Sequence, residues 1–171
     1  MSNGTINSLR IIGVDVAKDK LDIALNDNTV KTINNTETDF KKLLTEISNK
    51  NSICFVMEAS GGYEKTFANY LLSQHIAVSI INAKRVRDFA KAMGLLAKND
   101  RIDALVIRQY AQVVHGKNSL KICQPKTNIE QGLEALVRRR AQLVEQRAVE
   151  KQHLETAINQ DVIQSIEKII A

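Results

Sequence analysis

Four carboxylates occur where an acidic, metal-binding site could form. Glu58 ends the apolar run 53–57, at the carboxyl end of a predicted buried strand, where open α/β sheets place their ligands. A lone carboxylate buried at such a position is costly unless a cation or a hydrogen-bond donor meets it. Asp100 and Asp103 stand three residues apart on one predicted helix face, with about 5–6 Å between their Cβ atoms. Asp15 directly follows the first apolar run of the chain.

Each acid taken alone has an ordinary structural explanation. Asp15 could be a turn residue, and Asp100 and Asp103 could cap the start of a helix, where acids are favoured. Together the four acids indicate a cation-binding site, because clustered carboxylates repel one another unless cations neutralise them. Hard oxygen ligands select Mg²⁺ or Mn²⁺, and two such ions about 3.5–4 Å apart can activate a nucleophile and stabilise the leaving oxygen of a phosphodiester. We therefore predict that Asp15, Glu58, Asp100 and Asp103 are catalytic and bind two metal ions.

A basic stretch lies between Glu58 and the Asp pair. Its cations would draw a phosphate backbone over the metals, although a solvated helix face would have the same composition. The candidate nucleic-acid-binding residues are Lys84, Arg85, Arg87, Lys91, Lys98 and Arg101.

The hydrophobic pattern predicts the elements that must position these residues. Short runs near 11–14, 21–25 and 29–33, separated by polar turns, are typical of an antiparallel meander. The nearly all-apolar run 53–57 and a second run near 77–81 predict buried parallel strands, and helical periodicity lies between and after them. This order predicts an α/β fold, an RNase H/RuvC-like core with a mixed five-stranded sheet flanked by helices.

We expect a catalytic domain over residues 10–116, preceded by an arm (1–9) and followed by a linker (117–126) that contains the sole proline, Pro125. Residues 127–171 carry apolar positions on a 3–4 repeat that Arg140, Arg147 and Glu150 interrupt. This pattern predicts a long amphipathic helix that pairs with another helix, for example as a short coiled coil. The alternative is a helix that packs against its own domain.

Composition narrows the function classes. The chain has 171 residues, a net charge of +5 and a pI near 9.2, which fits a polyanionic partner. Aromatic residues make up only 4%, which disfavours a base-stacking surface. The two cysteines, Cys54 and Cys123, form no CxxC pair, so a zinc site is disfavoured. No apolar run is long enough for a signal peptide or a membrane span, so we expect a cytoplasmic protein with no membrane partner.

Three blocks of the sequence together resemble a known family. The segments GVDVAKDKLDIAL, VMEASGGYE and NAKRVRDFAKAMGLLAKNDRIDALVIRQYA are similar to the N-terminal domain of IS110-family transposases, which include the Piv-type DNA invertases. The resemblance covers about residues 10–115. It implies a RuvC-like DEDD domain with Asp15, Glu58, Asp100 and Asp103 as the metal-binding acids. It also implies that the segment after residue 125 is a coiled coil through which protomers form a dimer or tetramer.

The resemblance implies metal-dependent strand cleavage and exchange on DNA, during transposition or site-specific inversion. The implied partners are DNA and, for RNA-guided members, a structured guide (bridge) RNA. Family members continue into a domain that carries a serine, so we expect this chain to be the catalytic N-terminal part, with that domain absent. Two alternatives stay open: a stand-alone RuvC-like junction nuclease, and a non-catalytic module for nucleic-acid binding and oligomerisation.

Overall fold

The computed structural model describes residues 9–95, 100–117 and 119–170, apart from the side chains of Asp100, Arg101, Ile102 and Asn128. Five strands and six α-helices occur in these ranges. The strands are β1 (Arg10–Val16), β2 (Lys20–Ala24), β3 (Val30–Asn34), β4 (Ile53–Glu58) and β5 (Ala77–Ile81). The helices are α1 (Glu37–Glu46), α2 (Glu64–Ser73), α3 (Ala83–Ala92), α4 (Asp100–Gly116), α5 (Asn128–Thr156) and α6 (Gln160–Ile170).

The five strands form one mixed sheet in the order β3-β2-β1-β4-β5. β1, β2 and β3 pair antiparallel, as the short polar turns between them predict. β4 pairs parallel with β1, and β5 pairs parallel with β4. This strand order and pairing confirm the RNase H/RuvC-like α/β core that the sequence predicts.

Each face of the sheet packs against its own layer of helices. On one face the alternate residues of β1 and β4, such as Ile12 and Phe55, join a core with residues of α1 and α2. On the other face Ile11, Cys54 and Val56 pack against residues of α3 and α4. The period-2 alternation of side chains along a strand therefore decides which residues face α4.

The chain divides into two compact units, residues 1–125 and 126–171. In the second unit the structure has two helices where the sequence predicted one long helix. A capping box formed by Thr127 and Glu130 begins α5. Asn159 separates the two helices, since its side-chain oxygen accepts hydrogen bonds from the N–H groups of Asp161 (2.9 Å) and Val162 (3.3 Å) at the start of α6. None of the helices in the described part of the chain has both the length and the apolar character that crossing a membrane requires.

Candidate metal centre

Two of the predicted acids lie on the same face of the sheet. Asp15 is two residues beyond Gly13 on β1, and Gly13 faces α4. Glu58 is two residues beyond Val56 on β4, which belongs to the core on the α4 side. The parallel register pairs Val14 with Met57, so Asp15 and Glu58 are the next residues on adjacent strands. Both acids therefore belong to the α4 face of the sheet, and both are half-buried.

The close approach of α4 to β1 positions Asp103. A Cβ atom at Gly13 would lie only 2.3 Å from the carbonyl oxygen of Ala104 and 2.6 Å from the backbone nitrogen of Arg108. The first block of the sequence thus needs glycine at this position, because any side chain would separate the helix from the strand. Ala104 immediately follows Asp103, so this contact places the exposed Asp103 carboxylate over the same face as Asp15 and Glu58.

The electrostatics of Glu58 connect three of the predicted residues. Burial raises the pKa of the Glu58 carboxyl above its ordinary value, the negative charge of Asp103 raises it further, and the guanidinium of Arg87 lowers it. Glu58 is therefore close enough to Asp103 and Arg87 to be affected by the charge of each. An additional cation beside Glu58 and Asp103 would relieve their repulsion, and carboxylate oxygens suit Mg²⁺ or Mn²⁺.

A further carboxylate, that of Asp22, lies on this face and was not among the predicted acids. Asp22 is the antiparallel register partner of Asp15, so their side chains project from the same face of neighbouring strands. Its side chain is only 4% exposed, with Lys20 Nζ 3.4 Å away. It also accepts a hydrogen bond from the hydroxyl of Thr32. An acid at an inward-facing position in the run LDIAL is the signal that could have identified it.

The loop after Glu58 is held by Glu64. The Glu64 carboxylate accepts hydrogen bonds from the N–H groups of Gly62 (2.8 Å) and Ser60 (3.1 Å) and from the Ser60 hydroxyl (3.0 Å). Burial alone would raise the pKa of Glu64, but hydrogen bonds from its own backbone N–H and from Gly62 and Ser60 outweigh this effect and keep the pKa below its ordinary value. Gly61 and Gly62 have φ angles of 75° and 124°, which explains the glycine pair in this loop. Glu64 thereby fixes the path of the chain directly after Glu58.

Arg108 on α4 fixes this helix against the sheet through two contacts. Its Nε donates a 3.0 Å hydrogen bond to the carbonyl oxygen of Ile11 on β1, and its guanidinium pairs with Asp27 in the turn between β2 and β3. Arg108 is buried, whereas Asp27 is exposed. The helix that carries Asp103 is thus tied to the strand that carries Asp15.

The predicted basic residues fall into three groups. Lys84, Arg85, Arg87 and Lys91 are exposed on α3. Arg101 belongs to α4, but its side chain, like that of the predicted acid Asp100, is outside the described set. Lys98 lies outside the described residues altogether. Among the described residues, no group of three or more His, Cys, Asp or Glu side chains is arranged closely enough to hold a metal ion.

The strand order and pairing define the class of protein: an RNase H-like α/β protein, here with Asp15 and Glu58 near the carboxyl ends of the neighbouring strands β1 and β4. The family of DEDD transposases of IS110 type matches residues 12–161. This chain belongs to that family, as the three sequence blocks indicate.

Named relatives support the same family. A pilin gene-inverting protein of Moraxella bovis is 32% identical over 136 residues, which are 75% of this chain and 41% of the relative. The transposase for insertion sequence element IS1111A of Coxiella burnetii is 28% identical over 143 residues, or 84% of this chain and 37% of the relative. The chain therefore spans less than half the length of these relatives.

A solved structure, Thermus thermophilus RuvC in complex with a Holliday junction substrate, aligns with 66% of this chain and 98% of the RuvC chain. The TM-score is 0.48 and the sequence identity 10%. The assignment of the fold rests on the strand order and pairing described above and not on this structural alignment.

Proposed function

We propose that this chain is the catalytic N-terminal part of a DNA recombinase that cleaves and exchanges strands during transposition or site-specific inversion. The observation that supports this most is the placement of Asp15, Glu58 and Asp103 on one face, with Asp103 close enough to raise the pKa of Glu58. The family match supplies the reaction class, and the relatives named above act in pilin gene inversion and in the transposition of an insertion sequence.

In this proposal Asp15, Glu58, Asp103 and Asp100 hold two Mg²⁺ or Mn²⁺ ions. Such ions, when bound, would supply Lewis-acid activation of a phosphodiester and of its attacking hydroxyl. The chain's own contribution is to hold the carboxylates on rigid elements. Gly13 and Arg108 dock α4, and Glu64 fixes the loop after Glu58. Arg87 provides a positive charge near Glu58 that could meet a phosphate as it approaches.

The proposed partners are DNA and, as in RNA-guided members of the family, a structured guide RNA. The exposed cations of α3 lie on the helix that follows β5, next to the strand that carries Glu58. A polyanion drawn to them would reach the acids without crossing the sheet. A recombinase acting on chromosomal DNA would work in the cytoplasm.

The experiment that tests this function is a nicking assay on supercoiled plasmid DNA with Mn²⁺. We expect nicking by the chain that falls to background in Glu58→Gln and persists in Glu155→Gln, which neutralises an exposed carboxylate of α5. Nicking that is equally strong in Glu58→Gln would contradict the proposed site.

A parallel assay on a four-way DNA junction separates the alternatives. Preferential, acid-dependent cleavage of the junction by this chain alone would favour a stand-alone junction nuclease. Salt-sensitive DNA or RNA binding that is insensitive to Glu58→Gln, with no cleavage of either substrate, would favour a non-catalytic binding module.

A further inference from the structure

A small pocket with a mixed polar and apolar lining lies at the outer edge of the sheet, beyond β5. Its volume is about 110 Å³, the space of a few water molecules. Residues from four segments line it: the end of β5, the start of α3, one face of α4, and the chain at 119–121. Ile81, one of the lining residues, is the register partner of Glu58. The pocket is therefore one strand away from the candidate metal centre.

Hydrogen bonds and ring packing hold the walls of this pocket in place. The Ser79 hydroxyl donates a 2.8 Å hydrogen bond to the carbonyl oxygen of Lys121, and the N–H of Cys123 donates to Val78 at 2.7 Å. These bonds fasten segment 119–123 along the free edge of β5. The Tyr110 ring packs edge-on against Phe89, with 5.6 Å between ring centroids. The pocket is thus a feature of the folded unit and not a gap between loose side chains.

The chemistry of the lining favours an anion. Arg85 and Lys121 contribute cations and Tyr110 contributes a hydroxyl group, whereas the described residues of the lining include no carboxylate. In the part of the chain that the structure describes, neither Arg85 nor Lys121 has an ion-pair partner. The N-terminus of α3 adds a partial positive charge, since Asn82 caps this helix and also lines the pocket.

We propose that this pocket binds a phosphate group through Arg85 and Lys121. The volume suits a single tetrahedral anion and is too small for a base with its sugar. Because the candidate metal centre is one strand away, we expect the phosphate group to come from the backbone of the bound nucleic acid. This identification of the ligand rests on the proposed function. Two cations on separate elements would then fix the register of the nucleic acid on the α4 side of the sheet.

The test compares two double variants of the whole chain in EDTA, so that metal binding and cleavage do not enter. Arg85→Gln with Lys121→Gln removes both pocket cations. Lys41→Gln with Lys50→Gln removes two exposed cations elsewhere in the same unit and changes the net charge equally. Each protein is titrated with a fluorescein-labelled DNA duplex by anisotropy, and with inorganic phosphate by phosphorus NMR.

We expect the pocket variant to bind the duplex about tenfold more weakly, because both of its lost cations would contact the same phosphate group, and the control to change by less than about twofold. The charge-keeping exchange Arg85→Lys with Lys121→Arg should stay within about threefold of the unaltered chain. Loss of inorganic phosphate binding alone, with unchanged DNA affinity, would support the pocket and identify free phosphate as its ligand. Unchanged binding of both ligands, or an equal loss in the control variant, would overturn the proposal.

The result for the phosphate pocket can be distinguished from the result for the proposed function. If nicking did not depend on Glu58, phosphate binding in EDTA could still be observed. If the pocket bound no phosphate, the dependence of DNA nicking on Glu58 could still be observed.

Discussion

At the scale of single residues, the candidate site depends on the absence of a side chain. Gly13 lets the backbone of β1 touch that of α4, and the atoms that a Cβ would meet are backbone atoms, which cannot rotate away. Asp103 precedes Ala104, the nearest of these contacts. The distance between Asp103 and Glu58 is therefore set in part by a glycine that has no side chain to offer a ligand.

The variant Gly13→Ala tests this dependence. We expect it to lower the free energy of unfolding by about 1–3 kcal/mol, because α4 must move to admit the methyl group. We also expect weaker Mn²⁺ binding, because Asp103 moves with the helix. Urea unfolding measures the first effect and calorimetry the second. The control is Gly116→Ala at the end of α4, where a Cβ would meet nothing within 4 Å. Equal stability of Gly13→Ala and the control would contradict the argument.

At the scale of elements, α4 is the part of the fold that assembles the site, and Arg108 is its main polar anchor. The guanidinium reaches across the sheet from α4 to the β1 carbonyl of Ile11 and to Asp27. The planar donor group of arginine suits this double contact, whereas the ammonium of lysine would not.

We therefore expect Arg108→Met to lower the free energy of unfolding by about 1–3 kcal/mol, since the buried carbonyl of Ile11 loses its side-chain donor. Arg108→Lys should recover little of this loss. Asp27→Asn should cost less than about 1 kcal/mol, because Asp27 is exposed. These values can be measured by urea unfolding. A loss in Asp27→Asn as large as in Arg108→Met would show that the ion pair with the exposed Asp27, and not the bond to β1, holds the helix.

The elements that carry the acids could be predicted from sequence because their signals are local. Alternating and continuous apolar runs predicted all five strands, and the change to helical spacing predicted the helices between them. Arg108 was missed because its role comes from contacts across the sheet, at sequence separations that no local pattern encodes. Asp22 was missed although the run LDIAL places an acid at an inward-facing position, because its pairing with Asp15 becomes evident only from the strand register. The break between α5 and α6 was also missed, although Asn159 is a good helix-capping residue, because the apolar repeat continues through it.

At the scale of the whole molecule, the second unit carries apolar residues that its own two helices leave exposed. On α5, Ile129 is 83% exposed and Leu136 is 70% exposed, and Leu133 lies between them on the same 3–4 repeat. A helix that keeps leucines in water at this spacing is typical of a coiled-coil partner surface. We propose self-association through this face, as the family resemblance implies.

Light scattering after size exclusion tests this proposal. We expect the chain to be a dimer or tetramer, and Leu133→Glu with Leu136→Glu to be a monomer of unchanged helical content. The control, Gln142→Glu with Gln152→Glu, adds the same charge at exposed positions off the repeat and should keep the oligomer. A monomeric unaltered chain would contradict the proposal.

The central claim is that the carboxylates of the α4 face form a metal site, and Mn²⁺ titration by calorimetry tests it most directly. Three proteins are compared: the chain itself, Asp15→Asn with Asp103→Asn, and a control that neutralises two exposed acids, Glu37→Gln with Glu155→Gln. We expect Mn²⁺ binding by the chain and the control and none by the Asp15/Asp103 variant. Equal binding by all three proteins would contradict the claim, since the ions would then bind elsewhere.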